Sequence, residues 1–399
     1  MKPTHWKKTF ITIYSGQAFS LLGSAAVQFA IIWWLTKKTE SPFILTVATI
    51  AAFLPGILFG AFAGIWIDRY SRKAVMIAAD GLVAISSALL GLIFFLWKDP
   101  APWVIFLFLF IRGVGNTFHT PAMQAAIPMF VPAEMLTKAG GWGNLIVSIS
   151  TMLGPALGAG MMSAFFIAPI MLVDVIGAVI AICCLLPVHL PHISSGSEEI
   201  HIWDDMKQGF LAMKINQPLM AAFFPVIFAS VLYMPLGSLF PLLVRSYYMG
   251  EAAHSALVEI AFSGGLLLSS LIMGLWGGMK KRFLMISLSL VLLGAASLVS
   301  GILPVSAFLP FVFCSLLMGA SGTFFNVPLM AHIQETVAPE MMGKVISLLT
   351  TAMMLATPFG LLVAGFVSEI VGVEHWFFGS GILMMAAGGL CFLQTKRFD

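Results

Sequence analysis

Charge is the scarcest commodity in this sequence. Only 9% of its 399 residues are Asp, Glu, Lys or Arg, against about 25% in an ordinary soluble domain. Hydrophobic residues make up 60%, more than one water-solvated core can hide, so the expected solvent is lipid. The formal charge of +3 is too small to suggest nucleic acid as a partner. Cysteine is also sparse. Cys183, Cys184, Cys314 and Cys391 all sit in apolar runs, which gives neither a disulfide frame nor metal-ligand spacing. No glycine-rich loop ending in lysine is present to cradle a phosphate, so ATP hydrolysis by this chain is not expected. No nucleophile stands with a base in a recognisable set, so the chain is not expected to be an enzyme, and no cofactor or metal is implied.

Long apolar runs are what the chain does have. A membrane-spanning helix needs about 20 of these residues in succession. Twelve runs qualify: 10–35, 43–67, 74–97, 103–128, 139–165, 169–190, 218–245, 255–277, 283–303, 307–333, 343–371 and 376–394. The start, MKPTHWKK, leads into the first of them without a small-residue cleavage site, so that segment is expected to remain as a membrane helix. Connections are short except 191–217, which holds Ser194, Ser195, Gly196, Ser197, Glu198 and Glu199. The expectation is an all-α membrane protein of twelve transmembrane helices: a six-helix half at 1–190, a central loop at 191–217 and a second half at 218–399. In the loop, Ile202, Met206, Phe210 and Met213 recur at helical spacing, as in a helix lying flat on a membrane face.

Orientation follows from where the cations fall. With the N-terminus in the cytoplasm, fifteen Lys and Arg from Lys2 to Arg397 lie inside, and four (Lys37, Lys38, Lys98, Arg245) lie outside. Both termini are therefore expected to be cytoplasmic. The halves also repeat. A shift of 206 residues lays Gly113 on Gly319, Thr117 on Thr323, Phe118 on Phe324, Glu134 on Glu340 and Lys138 on Lys344. A shift of 209 lays Gly56 on Gly265 and Arg72–Lys73 on Lys281–Arg282. Six helices per repeat is an even number, so the halves run parallel, one of the known transporter plans.

Between the second and third runs lies GIWIDRYSRK, with Gly64 one helical turn before Asp68, then Arg69, Arg72 and Lys73. Asp68 ends a helix, where the dipole disfavours a carboxylate, so a cationic or helix N-terminal partner is expected; Arg72 and the region near Lys344 are candidates. The stretch resembles the loop 2–3 signature of the major facilitator superfamily, with Ser71 in place of a glycine. A worn copy without the aspartate, GLWGGMKKR, stands at 274–282. The fifth segment carries Ser150, Gly154, Pro155, Gly158 and Ala159, similar to the helix 5 motif of proton-driven drug exporters, with Ser150 and Ala159 replacing its outer glycines. The fourth has Arg112 followed by Gly115. The run FIRGVGNTFHTPAMQAAIPMFVPAEMLTKAGG, and the start of the chain, resemble the macrolide-efflux branch of drug:proton antiporters.

That resemblance implies efflux of small amphiphilic compounds, by a monomer in the cell membrane of a bacterium, in exchange for protons. Export of a self-made metabolite such as a siderophore is the alternative, and nutrient uptake a third. It also implies a latch at Gly64, Asp68, Arg69, Arg72 and Lys73, and a role for Gly154, Pro155 and Gly158 in sealing the fifth helix against the eighth; plain helix packing is the other reading of that small-residue stripe. Charges in lipid cost about 2.5–3.5 kcal/mol each, which makes Arg112, Asp80, Asp174 and Glu259 candidates for proton coupling, with Glu259 and Asp174 favoured. The first segment offers no carboxylate. The cavity of such folds is lined by helices 1, 4, 7 and 10, here through Gln17, Gln28, Asn116, His119, Tyr233, Met234, Asn326 and His332. With 34 Phe and 25 Met in the chain, it should be broad, apolar and adaptable. Each histidine is either a titrating group or a helix-packing one.

Overall fold

The computed structural model describes residues 6–132, 135–188, 202–337 and 339–398. Twelve helices are long and apolar enough to cross a membrane. The first six are α1 (Trp6–Thr39), α2 (Pro42–Arg69), α3 (Arg72–Leu96), α4 (Pro102–Ala126), α5 (Leu136–Ala164) and α6 (Leu172–Leu185), the last entered through a one-turn helix at Ile167–Ile170. A short helix, α7 (Ile202–Ile215), precedes α8 (Gln217–Leu242), α9 (Ala252–Trp276), α10 (Arg282–Ile302), α11 (Phe308–Thr336), α12 (Pro339–Val371) and α13 (Val373–Thr395).

Backbone groups in lipid must bond within their own segment, so each apolar run becomes a helix. Proline at Pro55, Pro121, Pro155, Pro225, Pro235, Pro328 and Pro358 does not end them, because neighbouring helices stabilise the interrupted ladder. Helix ends follow local chemistry. Pro102 opens α4 at its first position, where the missing N–H costs nothing. Gly277, at φ 79°, closes α9 in the left-handed conformation. After Pro241, α8 ends in a π-helical turn at Leu243–Tyr247. Lys37 and Lys38, expected in a loop, form the last turn of α1; Lys38 Nζ pairs with Asp99 at 2.5 Å and donates to Pro100 O at 2.6 Å.

The chain divides into two compact units, Met1–Thr39 with Val47–Glu198, and Glu40–Thr46 with Glu199–Asp399. The repeat has a packing basis. In the first unit Gly113 of α4 lies on the backbone of α2 at Ala52 O and on Pro55; in the second, Gly319 of α11 lies on Phe262 O of α9, and Gly265 of α9 on Leu316 O. Any side chain at these glycines would enter a neighbouring backbone, so they set helix separation. The first unit has a core of Ile13, Tyr14, Met76, Ala122, Phe130 and Leu185 at the end that carries loop 2–3. The second has a core around Leu219, Val226, Phe283, Leu329 and Val345, and a cluster of rings, Phe240, Phe311, Phe377 and Tyr248, with centroids 5.1–6.4 Å apart.

The expected interfacial helix is only partly surface-like: Phe210 is exposed, but Met213 is fully buried in the core of the second unit. The side chains of Ile202 and Met206 lie outside the described residues. Glu369 stands exposed near the end of α12. It accepts from Ser41 Oγ at 2.7 Å and from the Phe43 N–H at 3.2 Å, all within the second unit.

Candidate functional site

The first unit holds two polar layers stacked along its helices. Three pairs of positions build them, each pair seven residues apart on one helix: Gln17 and Ser24 on α1, Asp80 and Ser87 on α3, Arg112 and His119 on α4. Seven residues are two turns, about 10.5 Å of rise, so the same three helices present polar groups at two depths. The layer nearer loop 2–3 is Gln17, Asp80 and His119. The farther one is Ser24, Ser87 and Arg112, completed by Asp174 from α6.

The far layer is densely bonded, although Arg112 Nε is buried with no hydrogen-bond partner among the described residues. Arg112 Nη1 donates to Asp174 Oδ2 and, at 2.6 Å, to Ser87 Oγ. Ser87 Oγ donates to the same carboxylate oxygen at 2.6 Å, and Ser24 Oγ donates to Oδ1 at 2.6 Å. Arg112 Nη2 reaches Ser24 O at 3.3 Å. Both charged side chains are sealed, 5% and 0% exposed. Such a pair is costly to bury, and removing one member costs more, about 3–5 kcal/mol, because the other charge is left alone.

The near layer is also buried but carries fewer hydrogen bonds. Gln17 Nε2 donates to Asp80 Oδ2 at 3.2 Å. His119 Nε2 lies 3.5 Å from Asp80 Oδ1, within ion-pair reach but without a hydrogen bond. Gln17 Oε1 is buried with no partner among the described residues. The Asp80 and His119 side chains keep 9% and 10% exposure.

Other expected residues fall elsewhere. In the loop 2–3 stretch, Arg72 Nη1 donates to Ala125 O at 2.9 Å, and Lys73 Nζ to Leu186 O at 2.5 Å and Val188 O at 2.9 Å. These are the C-terminal carbonyls of α4 and the turn after α6, the negative ends of two helices. The described part of the stretch therefore ties the first unit together, and Arg72 spends a hydrogen bond on α4. Gly64, Asp68 and Arg69 belong to α2 by backbone, but their side chains lie outside the described residues. Gly154 and Gly158 face α1: a Cβ at Gly158 would sit 2.6 Å from Ala26 O and 2.9 Å from Phe29, and one at Gly154 would strike Ala25. Pro155 between them is buried. Glu259 on α9 is half-buried and makes no hydrogen bond or ion pair among the described residues.

Three expected cavity residues do line one cavity. Tyr233, Met234 and Asn326 border a space of about 230 Å³ within the second unit, joined by Ser289, Phe325 and Met353. Gln28 is half-buried and Asn116 exposed. His332 belongs instead to the end of α8: its Nε2 is 3.4 Å from Asn216 Oδ1, and Phe283 packs against its ring at 4.6 Å. Asn216 caps α8 by accepting from the Leu219 N–H at 3.2 Å. Gln17 and His119 move from the expected cavity lining to the near polar layer, because Asp80 offers them a partner. Sequence reasoning missed Ser24 and Ser87, whose signal was the seven-residue recurrence on three helices, and Ser289 and Phe325, which look like ordinary packing residues.

The sequence profile of the Major Facilitator Superfamily matches residues 13–279. The chain is 37% identical to the Macrolide efflux protein A of Streptococcus pyogenes over 392 residues, 98% of this chain and 96% of the relative. It is 36% identical to the protein of that name from Enterococcus faecalis over 315 residues, 78% and 97% of the two chains. Among solved structures, an inward-facing, unoccupied bacterial homologue of the human lysosomal transporter Spinster superposes with a TM-score of 0.75 at 13% identity, covering 100% of this chain and 98% of that one; at that identity the likeness is one of fold. Since the profile runs from the first helix into the second half and a relative matches nearly end to end, the chain belongs to the major facilitator superfamily, as a multi-pass secondary transporter.

Proposed function

We propose that this chain exports bulky amphiphilic compounds of the macrolide type in exchange for protons, by alternating access of its two halves. The observation that carries the substrate class is the end-to-end match, at 37% identity, to a macrolide efflux protein. The cavity of the second unit, about 230 Å³ against the roughly 300–1,000 Å³ of drug-sized sites, has a lining that fits one face of such a compound. Phe325, Met234 and Met353 offer adaptable apolar surface, and Asn326 and Tyr233 a few polar contacts. That chemistry suits large amphiphiles better than sugars, which need many hydrogen-bond partners.

Proton coupling draws on Arg112, Asp174, Asp80 and Glu259, four of the charges that stand inside membrane helices. Glu259 has no competing partner among the described residues, which makes it the rival carboxylate for the exchanged proton. Gly64 and Asp68 serve as the loop 2–3 latch, with Arg72 and Lys73 anchoring its base. Gly154, Pro155 and Gly158 shape α5 against α1, so that α5 moves with it. A macrolide-sensitive host expressing the chain should survive a higher macrolide concentration, and an uncoupler should abolish that protection. Unchanged susceptibility with the chain present in the membrane would overturn the substrate class; protection that survives the uncoupler would overturn proton exchange.

A further inference from the structure

We infer that the exchanged proton binds at the near polar layer, on Asp80 with His119 and Gln17, and that the Arg112–Asp174 pair is a permanent structural charge pair that positions this layer. The inference rests on the proton exchange proposed above and gives it a location.

The two layers differ in what they can do with one more proton. Asp174 is surrounded by Ser24, Ser87 and Arg112. Arginine has donors only and keeps its charge, so a protonated Asp174 would find no acceptor on Arg112 and would strand a buried cation. Asp80 has the opposite surroundings. With the carboxylate ionised, Gln17 donates to it through Nε2. With the carboxyl protonated, a half-turn of the Gln17 amide brings Oε1, now without a partner, into place as an acceptor for the new O–H. His119 provides a second home for the same proton, its Nε2 3.5 Å from Asp80 Oδ1. The near layer can take up a proton without stranding a charge; in the far layer a serine hydroxyl could accept the new O–H, but Arg112 would be left uncompensated.

Access separates them too. The Asp80 and His119 side chains retain 9% and 10% exposure, whereas Asp174 has none. The charged and titratable neighbours of the near layer lie on α1, α3, α4 and α6. On α4, Arg112 is neutralised by Asp174 of α6. On α1, Tyr14 stands one turn from Gln17, its hydroxyl directed at Gly143 of α5. On α6, Cys184 packs on Gly16. At the start of α3, Arg72 and Lys73 bond the carbonyls of Ala125, Leu186 and Val188. Of these described neighbours, His119 is the one cationic or titratable group placed to share a proton with Asp80. Loading takes one proton from water and converts the Asp80–His119 pair from net −1 to neutral; unloading returns it to water on the other side.

The test is proton release on macrolide binding, read with a pH-indicator dye in weakly buffered detergent solution, alongside binding of the labelled macrolide. The unsubstituted chain should release a proton as the macrolide binds. Asp80→Asn should bind the macrolide but release at least tenfold less, with an affinity that no longer follows pH. Asp80→Glu and His119→Gln should keep release but shift the pH at which it is half-maximal. If Asp80→Asn does not purify folded, the latter two decide, and a pH midpoint unchanged in both overturns the inference. Release that persists in Asp80→Asn and disappears in Glu259→Gln overturns the location while leaving proton exchange standing. Macrolide binding without any release by the unsubstituted chain overturns both.

Discussion

Equivalent positions in the two halves hold opposite chemistry. The shift that relates α3 to α10 lays Asp80 on Ser289; the shift that relates α4 to α11 lays Arg112 on Met318, Asn116 on Gly322 and His119 on Phe325. In the first half Asp80, Arg112 and His119 build the charged layers, while Asn116 is exposed. In the second, Ser289, Gly322 and Phe325 line the apolar cavity, and Met318 is fully buried. The glycines that set helix separation, Gly113 and Gly319, are alike in both. The repeat thus fixes the distance between helices and leaves the facing side chains free to differ. At these positions the first half places buried charge, and the second lines an apolar cavity.

The largest effect should come from giving the first half the residue of the second at the far layer. Arg112→Met leaves Asp174 buried without its cation and should cost about 3–5 kcal/mol, seen as loss of folded protein in detergent. Arg112→Met with Asp174→Leu should recover most of that stability, because an apolar pair of similar volume replaces the ions. A double variant no more stable than the single one would mean the pair is not the main determinant there. Gly158→Leu comes next. It drives a side chain into Ala26 O and Phe29 and should cost about 1–3 kcal/mol in thermal unfolding, with transport reduced at least in proportion. In the second half, Phe325→His makes the reciprocal exchange. Macrolide binding, followed by equilibrium dialysis, should weaken about tenfold, roughly 1.4 kcal/mol, as apolar contact is lost. The smallest change is Lys73→Gln, which removes a cation from the carbonyl end of α6. About 0.3–1 kcal/mol is expected, visible as a small fall in unfolding temperature with transport retained.

What could be read from the sequence follows the range over which each signal acts. The twelve spans needed only local composition, and each expected run overlaps an observed helix. The repeat was legible because Gly113 and Gly319 have the same job in their own halves. Arg112 and Asp174 stood out because charge in lipid demands a reason. Their joining did not, since the contact spans 62 positions along the chain, and Ser24 joins Asp174 across 150. A serine in an apolar helix gives no sign of its partner, as it can bond its own backbone equally well. His119 was assigned to the cavity because its helix was; only the geometry shows Asp80 beside it. The cations of loop 2–3 were read as topology and latch, and their bonds to the ends of α4 and α6 came from packing that no local pattern encodes.

Accumulation of a radiolabelled macrolide in proteoliposomes under an imposed pH gradient tests the central claim most directly. With the unsubstituted chain the label should accumulate, and an uncoupler should release it. With Asp80→Asn the gradient should drive no accumulation, while labelled macrolide still exchanges with unlabelled across the membrane. Accumulation by Asp80→Asn equal to that of the unsubstituted chain would contradict the account.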